Sequence, residues 1–157
     1  MTEFEKLFNE NREFIFKYLT KMTQDVSLSE ELTQETFFRA YMNYASLRNK
    51  DKASVWLCQI AKNTYYAWYN EQKKKDSLDD LEIVSSHNTE DAFIQKELSQ
   101  KALLCLHALE EPYKEVFMLS VFGDFSLKDI SSTFGKSESW ARVTLYRAKQ
   151  KLSERMR

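Results

Sequence analysis

One face of a basic segment near the C-terminus combines positive charge, hydrogen-bonding groups and aromatic rings. Residues 135–157 hold seven Lys or Arg side chains against two Asp or Glu. At a helical spacing, Ala141, Leu145, Ala148 and Leu152 share one side, which we expect to face a core. The opposite side holds Ser139, Val143, Tyr146, Arg147 and Gln150, with Trp140 and Arg142 on its flanks. Arg and Gln can reach base edges, and Val and Tyr can contact thymine methyls, so the face suits a DNA major groove.

The elements that would position this face have the layout of a helix-turn-helix. In FSLKDISSTFGKSESWARVTLYRAKQKL, Ser126 predicts the cap of a short helix, with Asp129 at its N3 position. Gly135 predicts the end of that helix, and Ser137 predicts the cap of the last helix, which extends to about Ser153. Three lysines are placed to meet phosphates: Lys128, Lys149 and Lys151. The alternative interpretation is an ordinary helical hairpin with a solvated basic face.

A second basic block, residues 48–75, holds seven basic and two acidic side chains and a predicted helix from about Ala53 to Lys74. Its predicted buried side consists of Leu57, Ile60, Ala61, Thr64, Ala67 and Trp68. Its predicted exposed side consists of Gln59, Lys62, Tyr65, Tyr66, Tyr69, Asn70 and Lys73. Tyrosines interleaved with lysines make a platform on which unstacked bases can lie. The preceding loop adds Arg48, Lys50 and Lys52. The alternative is that the tyrosines pack against other helices.

The helix before that loop, predicted from about Ser27 to Tyr44 with Glu30 at N3, has a different character. Its predicted buried side consists of Leu32, Thr36, Ala40, Tyr44 and Leu47. Its other side consists of Glu31, Gln34, Glu35, Phe38, Tyr41 and Met42. Acidic groups repel phosphates, so exposed Phe and Met beside them favour a protein partner. From the pattern alone, a solvated acidic face explains this side better.

The composition predicts an all-α chain of two small helical domains. The 157 residues include only 2 Gly and 1 Pro, which leaves few turn residues for a β fold. Residues 76–91 are polar and acidic and predict a flexible linker. It separates a domain at 1–75 from one at 92–157. The first begins with a helix capped by Thr2 and Glu5, and the second begins with a helix near 91–109, followed by one opened by Pro112.

The chain has no features of a secreted, membrane or catalytic protein. Cys58 and Cys105 are far apart and lie in apolar helical patterns, so we expect reduced thiols. The N-terminus is unlike a signal peptide, and no apolar stretch is long enough to cross a bilayer. Neither a Gly-rich phosphate loop nor a metalloprotease motif is present, and His87 and His107 are isolated. We therefore expect a soluble cytoplasmic protein, without enzymatic activity, cofactor, metal site or small-molecule substrate.

Three segments together resemble the extracytoplasmic-function sigma factors, the smallest class of the sigma-70 family of bacterial transcription factors. EELTQETFFRAY resembles region 2.2, and WLCQIAKNTYYAWY resembles region 2.4. LEEPYKEVFMLSVFGDFSLKDISSTFGKSESWARVTLYRAKQKL resembles the whole of region 4. The match covers nearly all of the chain outside the linker, with the motifs in the family's order.

The resemblance implies roles for these faces. The β′ clamp helices of RNA polymerase would bind the second helix through Glu31, Gln34, Glu35 and Tyr41, with Phe38 among them, and the β flap would contact region 4. Residues 48–52, Lys62, Asn63 and the tyrosine face would engage and open the −10 promoter element by capturing a flipped base. Arg142, Val143, Tyr146 and Arg147 would read the −35 element. An anti-sigma factor, often membrane-bound, is a further implied partner and would hold the protein at the inner face of the membrane.

Some positions depart from the family pattern. Ala67 stands where Asp or Asn is usual, and Asn70 where Arg is usual, which affects the −10 preference. Trp140 replaces a common Thr, and Thr144 a common Arg, which affects the −35 preference. Leu28 replaces the usual acidic residue before the Glu-Glu pair.

Three alternatives remain on the residues alone. A stand-alone helix-turn-helix regulator would not need the second helix or the tyrosine face. An enzyme lacks a recognisable motif. A helical partner-binding module that had lost its DNA surface would not keep Arg142, Tyr146 and Arg147 together.

Overall fold

Helices form every regular element that the computed structural model describes, which covers residues 1–76 and 100–157. The all-α prediction is therefore confirmed. The chain divides into two units, Met1–Leu81 and Glu82–Arg157. Most of the predicted linker, and the first part of the helix predicted at 91–109, lie outside the described residues, so the domain boundaries stay a prediction.

The first unit has three α-helices and two short 3-10 helices. In chain order they are α1 (Glu3–Thr23), α2 (Val26–Met42), the 3-10 helices Tyr44–Ser46 and Lys50–Lys52, and α3 (Ala53–Asp76). Each α-helix contacts the other two. The core between them contains Leu7, Ile15, Tyr18, Leu19, Met22, Leu32, Phe37, Ala40, Leu57, Cys58 and Ala61. Full burial of a Leu or Ile side chain stabilises the fold by roughly 1.5–3 kcal/mol, so these contacts supply the main driving force.

The helix starts of this unit are set by short polar side chains. Thr2 and Glu5 form the predicted capping box at the start of α1. The predicted start of α2 near Ser27 is confirmed to within one residue, but Glu30 is not at N3, because Asp25 is the cap and its carboxylate accepts the Leu28 N–H at 3.1 Å. Asp caps a helix as well as Ser does. Gln24 ends α1 in the left-handed conformation, so the chain reverses over only two residues and α2 begins earlier than predicted.

A buried polar contact joins α1 to the start of α3. Asn11 is buried, and its amide N–H donates to the Leu7 carbonyl at 2.9 Å. The Ser54 hydroxyl donates to the Asn11 side-chain oxygen at 2.7 Å. Since both polar ends of Asn11 have partners, its burial is compensated and fixes the register of the two helices.

The second unit is built around the last helix. Residues 100–107 are helical and are called α4; then come α5 (Tyr113–Val121), α6 (Leu127–Phe134) and α7 (Glu138–Arg155). Both α5 and α6 pack against α7. The core contains Leu106, Leu109, Val116, Met118, Leu119, Ile130, Ala141 and Ala148. The predicted opening of a helix at Pro112 is confirmed to within one residue, with Pro112 as the cap of α5.

Two glycines shape the turns around α6. A Cβ atom on Gly123 would lie 2.6 Å from the Phe125 ring and 2.9 Å from the Leu119 carbonyl oxygen, so no larger residue fits there. Gly135 has a φ of 66° and ends α6 as predicted. Ser126 and Ser137 cap α6 and α7, also as predicted. Together α6, its three-residue turn and α7 form the expected helix-turn-helix.

The last turns of α7 are tied to the segment before α5. Arg155 donates to the Ala108 carbonyl at 2.7 Å, which satisfies a carbonyl just after α4. Lys151 pairs with Glu110 at 3.2 Å and lies over the Tyr113 ring at 4.9 Å. These contacts give Lys151 a structural role, so the expectation that it meets a phosphate is not favoured. Lys149 is exposed.

No helix within residues 1–76 or 100–157 is both long enough and apolar enough to span a membrane.

We expect Asn11→Ala to lower the free energy of unfolding by about 1–3 kcal/mol, because it leaves the Leu7 and Ser54 groups without their partner. Urea denaturation followed by circular dichroism measures this. The matched control is Asn9→Ala, an exposed Asn on the same helix, which should change stability by less than about 0.5 kcal/mol. Equal losses in both variants would contradict a buried polar tie at Asn11.

Candidate nucleic-acid interface

The outward face of α7 has the exposure that the sequence predicts. Its members Ser139, Arg142, Val143, Tyr146, Arg147 and Gln150 are all exposed. Trp140 is half-buried and its ring lies 5.2 Å from the Phe134 ring, so it belongs partly to the contact with α6. Lys128 is exposed in the first turn of α6. The arrangement offers two guanidinium groups and an amide on one convex surface, and the reading of DNA by these residues stays a prediction.

Thr144 faces the core instead of lying beside this face. It is 5% exposed and is placed between Ala141 and Ala148, three and four residues away on the same buried stripe. Leu145 and Leu152, which the pattern places in the core, are only half-buried. The departure from the family at Thr144 therefore alters packing under the face, whereas the departure at Trp140 lies at its edge.

The predicted exposed face of α3 is partly wrong. Tyr65 is 4% exposed and Lys62 is 6% exposed, while Ala67, predicted to be buried, is exposed. The Tyr65 ring has close aromatic neighbours, with centroid distances of 5.0 Å to Tyr66, 6.1 Å to Trp68 and 5.8 Å to Tyr69. The buried stripe is thus shifted around the helix from the predicted one: it includes Lys62 and Tyr65 and leaves out Ala67. Burial raises the pKa of the Tyr65 phenol, which stays neutral.

The part of α3 that remains accessible is narrower and still polar. Asn63 and Asn70 are exposed, while Tyr66 and Tyr69 are half-buried. The Lys73 ammonium lies 5.4 Å from the centre of the Tyr69 ring. A half-buried ring has one face or edge available for stacking, so this surface could hold fewer bases than three exposed tyrosines would.

The loop between α2 and α3 holds its lysines in a defined geometry. The Asn49 side chain accepts the Asp51 N–H at 3.0 Å and caps the 3-10 helix Lys50–Lys52. Arg48 and Lys50 are exposed, and Lys52 is half-buried. The Lys50 ammonium forms an ion pair with Glu3 of α1 and lies 5.4 Å from the centre of the Tyr44 ring.

The outer side of α2 is an acidic surface with large exposed apolar groups, as predicted. Phe38, Tyr41 and Met42 are 61%, 63% and 66% exposed. Glu31, Gln34 and Glu35 are exposed beside them, and Glu35 pairs with Arg39 at 3.0 Å. We call these six residues, Glu31, Gln34, Glu35, Phe38, Tyr41 and Met42, the α2 patch.

An open cleft of about 590 Å³ extends the α2 patch toward α3. Its α3 wall includes Thr64, Ala67, Trp68 and Glu71. Glu71, which the sequence pattern did not single out, adds a third carboxylate near Glu31 and Glu35. In the structure, the exposure of Ala67 indicates that this side of α3 faces a cleft. The helical pattern in the sequence had placed Ala67 in the core.

The described residues contain no cluster of metal-ligating side chains. No group of three or more His, Cys, Asp or Glu side chains in residues 1–76 and 100–157 could hold a metal ion. Burial raises the pKa of the Cys58 thiol, so it stays protonated and unreactive.

These features define a helical protein with a helix-turn-helix in one unit, and with an exposed acidic and apolar surface and a basic loop in the other. Comparison with known families gives the same division. Residues 7–75 match the family model described as Sigma-70 region 2, and residues 99–152 match the one described as Sigma-70, region 4.

Individual relatives cover nearly the same span. The chain is 29% identical over 140 residues to the ECF RNA polymerase sigma factor SigM of Bacillus subtilis (strain 168), covering 88% of this chain and 85% of the relative. It is 26% identical over 157 residues to the RNA polymerase sigma factor YlaC of the same organism, covering 97% and 91%. The chain belongs to the sigma-70 family, in its extracytoplasmic-function group, and is an alternative sigma factor for transcription initiation. Neither matching family model describes a catalytic domain.

A solved structure shares the fold. The sigma factor RpoE of Bartonella quintana, in a co-crystal with the anti-sigma factor NepR, superposes with a TM-score of 0.63. The alignment covers 99% of this chain and 98% of RpoE at 18% sequence identity. At this identity the likeness establishes the fold.

We expect Thr144→Asp to lower the free energy of unfolding of the second unit by about 3 kcal/mol, because it places a short charged side chain on the buried stripe of α7. Val143→Asp introduces the same charge one residue earlier, on the exposed face, and should cost less than about 1 kcal/mol. Thermal melting of both variants measures the difference. Similar stability of the two variants would show that Thr144 is not part of the core.

Proposed function

We propose that this sigma factor binds the RNA polymerase core through the α2 patch and directs it to promoters that it reads with both units. The α2 patch carries the proposal: three apolar side chains, each more than 60% exposed, lie on one short helix among acidic groups. A monomer gains nothing from exposing such a surface, which is typical of a protein interface. Its carboxylates repel DNA and suit a basic partner surface, such as the β′ clamp helices.

The exposed face of α7 is the proposed reader of the −35 duplex. Arg142 and Arg147 can each donate two parallel hydrogen bonds to guanine, and Gln150 can do the same to adenine. Val143 and Tyr146 supply apolar contacts to thymine methyls. Lys128, one helix earlier, would hold a phosphate and fix the position of α7 in the groove.

The loop at 48–52 and the accessible part of α3 are the proposed −10 surface. The burial of Tyr65 and Lys62 removes them from the contacts that we infer, which leaves Arg48, Lys50, Asn63, Tyr66 and Tyr69. Capturing one flipped base requires only one pocket and one stacking partner, so this narrower surface suffices. Lys52 is half-buried and would act at a longer range. Such opening uses binding energy and needs no hydrolysis.

We further propose an anti-sigma factor as a regulatory partner, acting in the cytoplasm where the polymerase works. The support is the co-crystal of the structurally similar sigma factor RpoE of Bartonella quintana with the anti-sigma factor NepR. The β flap is the proposed polymerase contact of the second unit.

The α2 patch provides the first test. Phe38→Ala should weaken binding to purified bacterial core RNA polymerase at least tenfold, because it removes a central exposed ring from the interface. Val26→Ala is the matched control, since Val26 is also 59% exposed on α2 but lies at its N-terminus. Fluorescence titration of labelled protein with core measures both. If the wild type forms no complex with core, the proposal fails.

The α7 face provides the second test. Arg147→Ala should reduce transcription from promoters that the wild-type holoenzyme selects from a randomised library by about 5- to 150-fold, corresponding to 1–3 kcal/mol of lost base contact. Binding to core should not change. Arg157→Ala, which removes an exposed Arg beyond the end of α7, is the control and should retain activity. Full activity of the Arg147 variant would exclude it from promoter reading.

A further inference from the structure

The first turn of α1 is in contact with the loop that we propose as part of the −10 surface. Glu3 is the first residue of α1, and its carboxylate pairs with the ammonium of Lys50, 47 residues later in the chain. Phe4 lies beside it and packs edge-on against two rings, Tyr41 at 5.2 Å and Tyr44 at 5.5 Å between ring centres. The rings fix the helix end against the α2–α3 connection, and this brings the carboxylate to Lys50.

Lys50 is restrained from several directions. Its own 3-10 helix is capped by Asn49, and its ammonium lies over the ring of Tyr44. The capped backbone and the Tyr44 ring therefore keep Lys50 on this side of the loop, beside the start of α1. The ammonium and the carboxylate are both largely exposed, at 55% and 75% of their side-chain surfaces. Exposed ion pairs are weak and are screened by salt, so an incoming anion can replace the carboxylate.

We infer that Glu3 occupies, in the free protein, the place that a DNA backbone phosphate takes at Lys50, and that Glu3 must be displaced when the strand binds. This inference rests on the proposed role of the 48–52 loop in DNA binding. A carboxylate and a phosphate present the same charge and the same kind of acceptor oxygen to an ammonium. If Glu3 stayed in place, it would repel the strand, so the ion pair lowers the affinity of the free protein for single-stranded DNA.

The charges of Glu3 and Lys50 support an exchange of the carboxylate for a phosphate at the Lys50 ammonium. Lys50 holds the pKa of the Glu3 carboxyl below its usual range, and Glu3 raises the pKa of Lys50, so both stay charged at neutral pH. The Glu3 carboxylate, at the start of α1, also interacts favourably with the helix dipole. This interaction keeps the carboxylate close to Lys50 after a phosphate has displaced it. Re-formation of the pair on release of DNA then needs no large movement.

The experiment measures binding of the full-length protein to a fluorescein-labelled 12-nucleotide single strand of random sequence, by anisotropy at low salt. A random strand is suitable because phosphate contacts carry no sequence information. Glu3→Gln keeps the side-chain shape and removes the charge, and it should tighten binding by about two- to fivefold, the range expected for a lost exposed ion pair. Raising the salt concentration should shrink this gain.

Glu13→Gln is the matched control, since Glu13 also forms an exposed ion pair on α1, with Lys17 at 3.2 Å, and its removal changes the net charge equally. Lys50→Met, and Lys50→Met combined with Glu3→Gln, complete the cycle. The inference predicts that Glu3→Gln has no more effect than Glu13→Gln once Lys50 is gone. Circular dichroism melting verifies that every variant is folded.

The outcomes separate the two proposals. If Lys50→Met weakens binding but Glu3→Gln and Glu13→Gln have equal effects, Glu3 is not a phosphate stand-in, while the loop keeps its DNA role. If Lys50→Met leaves binding unchanged, the proposed DNA role of Lys50 fails, and the inference about Glu3 fails with it. A gain from Glu3→Gln that persists in the Lys50→Met background would indicate a general charge effect and would also overturn the inference.

Discussion

The burial of one stripe on each short helix is the constraint on which the rest of this structure depends. Units of this size have too little interior to cover a helix on all sides, so each helix must leave one face to solvent. In the first unit, Leu32, Thr36 and Ala40 face the core and force the α2 patch outward. In the second, Ala141, Thr144 and Ala148 do the same for the α7 face. The packing of each core therefore determines which chemistry reaches the surface.

Polar contacts then fix the helices that the apolar stripes bring together. Asn11 and Ser54 join α1 to α3 in the interior, where an unpaired amide would be costly. In the second unit, Glu110 joins the segment before α5 to the last turns of α7 through Lys151 and Arg155. Some basic residues of the C-terminal block thus make structural contacts, and the others are exposed and available to DNA. Net charge counted along the sequence does not reveal that division.

The sequence predicted helix type and capping well because these depend on nearby residues. The capping box at Thr2, the left-handed Gly135 and the cap at Ser137 each follow from a few neighbouring side chains. The exposed faces of α2 and α7 were predicted because small and apolar residues recur at a helical spacing along one side of each helix, with most polar residues on the other side. The resemblance of three motifs carried the family assignment, which two family models then confirmed.

The prediction of buried and exposed positions was weakest on α3, because many of its side chains can be either buried or exposed. Tyrosine and the lysine stem are amphipathic, so a helical wheel cannot decide whether Tyr65 or Lys62 is covered. Their burial depends on rings and helices distant in sequence. The Glu3–Lys50 pair was also unpredictable from spacing, since it joins residues 47 positions apart. The positions of the site side chains therefore depend on contacts between residues far apart in the sequence, whereas the helices and their caps depend mainly on nearby residues.

The different surroundings of the two cysteines have a practical consequence for chemical labelling. Cys58 is fully enclosed in the first unit, and Cys105 is only half-buried, with its sulfur 3.6 Å from the Arg155 carbonyl oxygen. A maleimide reagent under native conditions will thus select Cys105 without any cysteine having to be removed. A fluorophore attached there sits against the last turn of α7, and its emission would report directly when that helix end loosens or engages a nucleic acid.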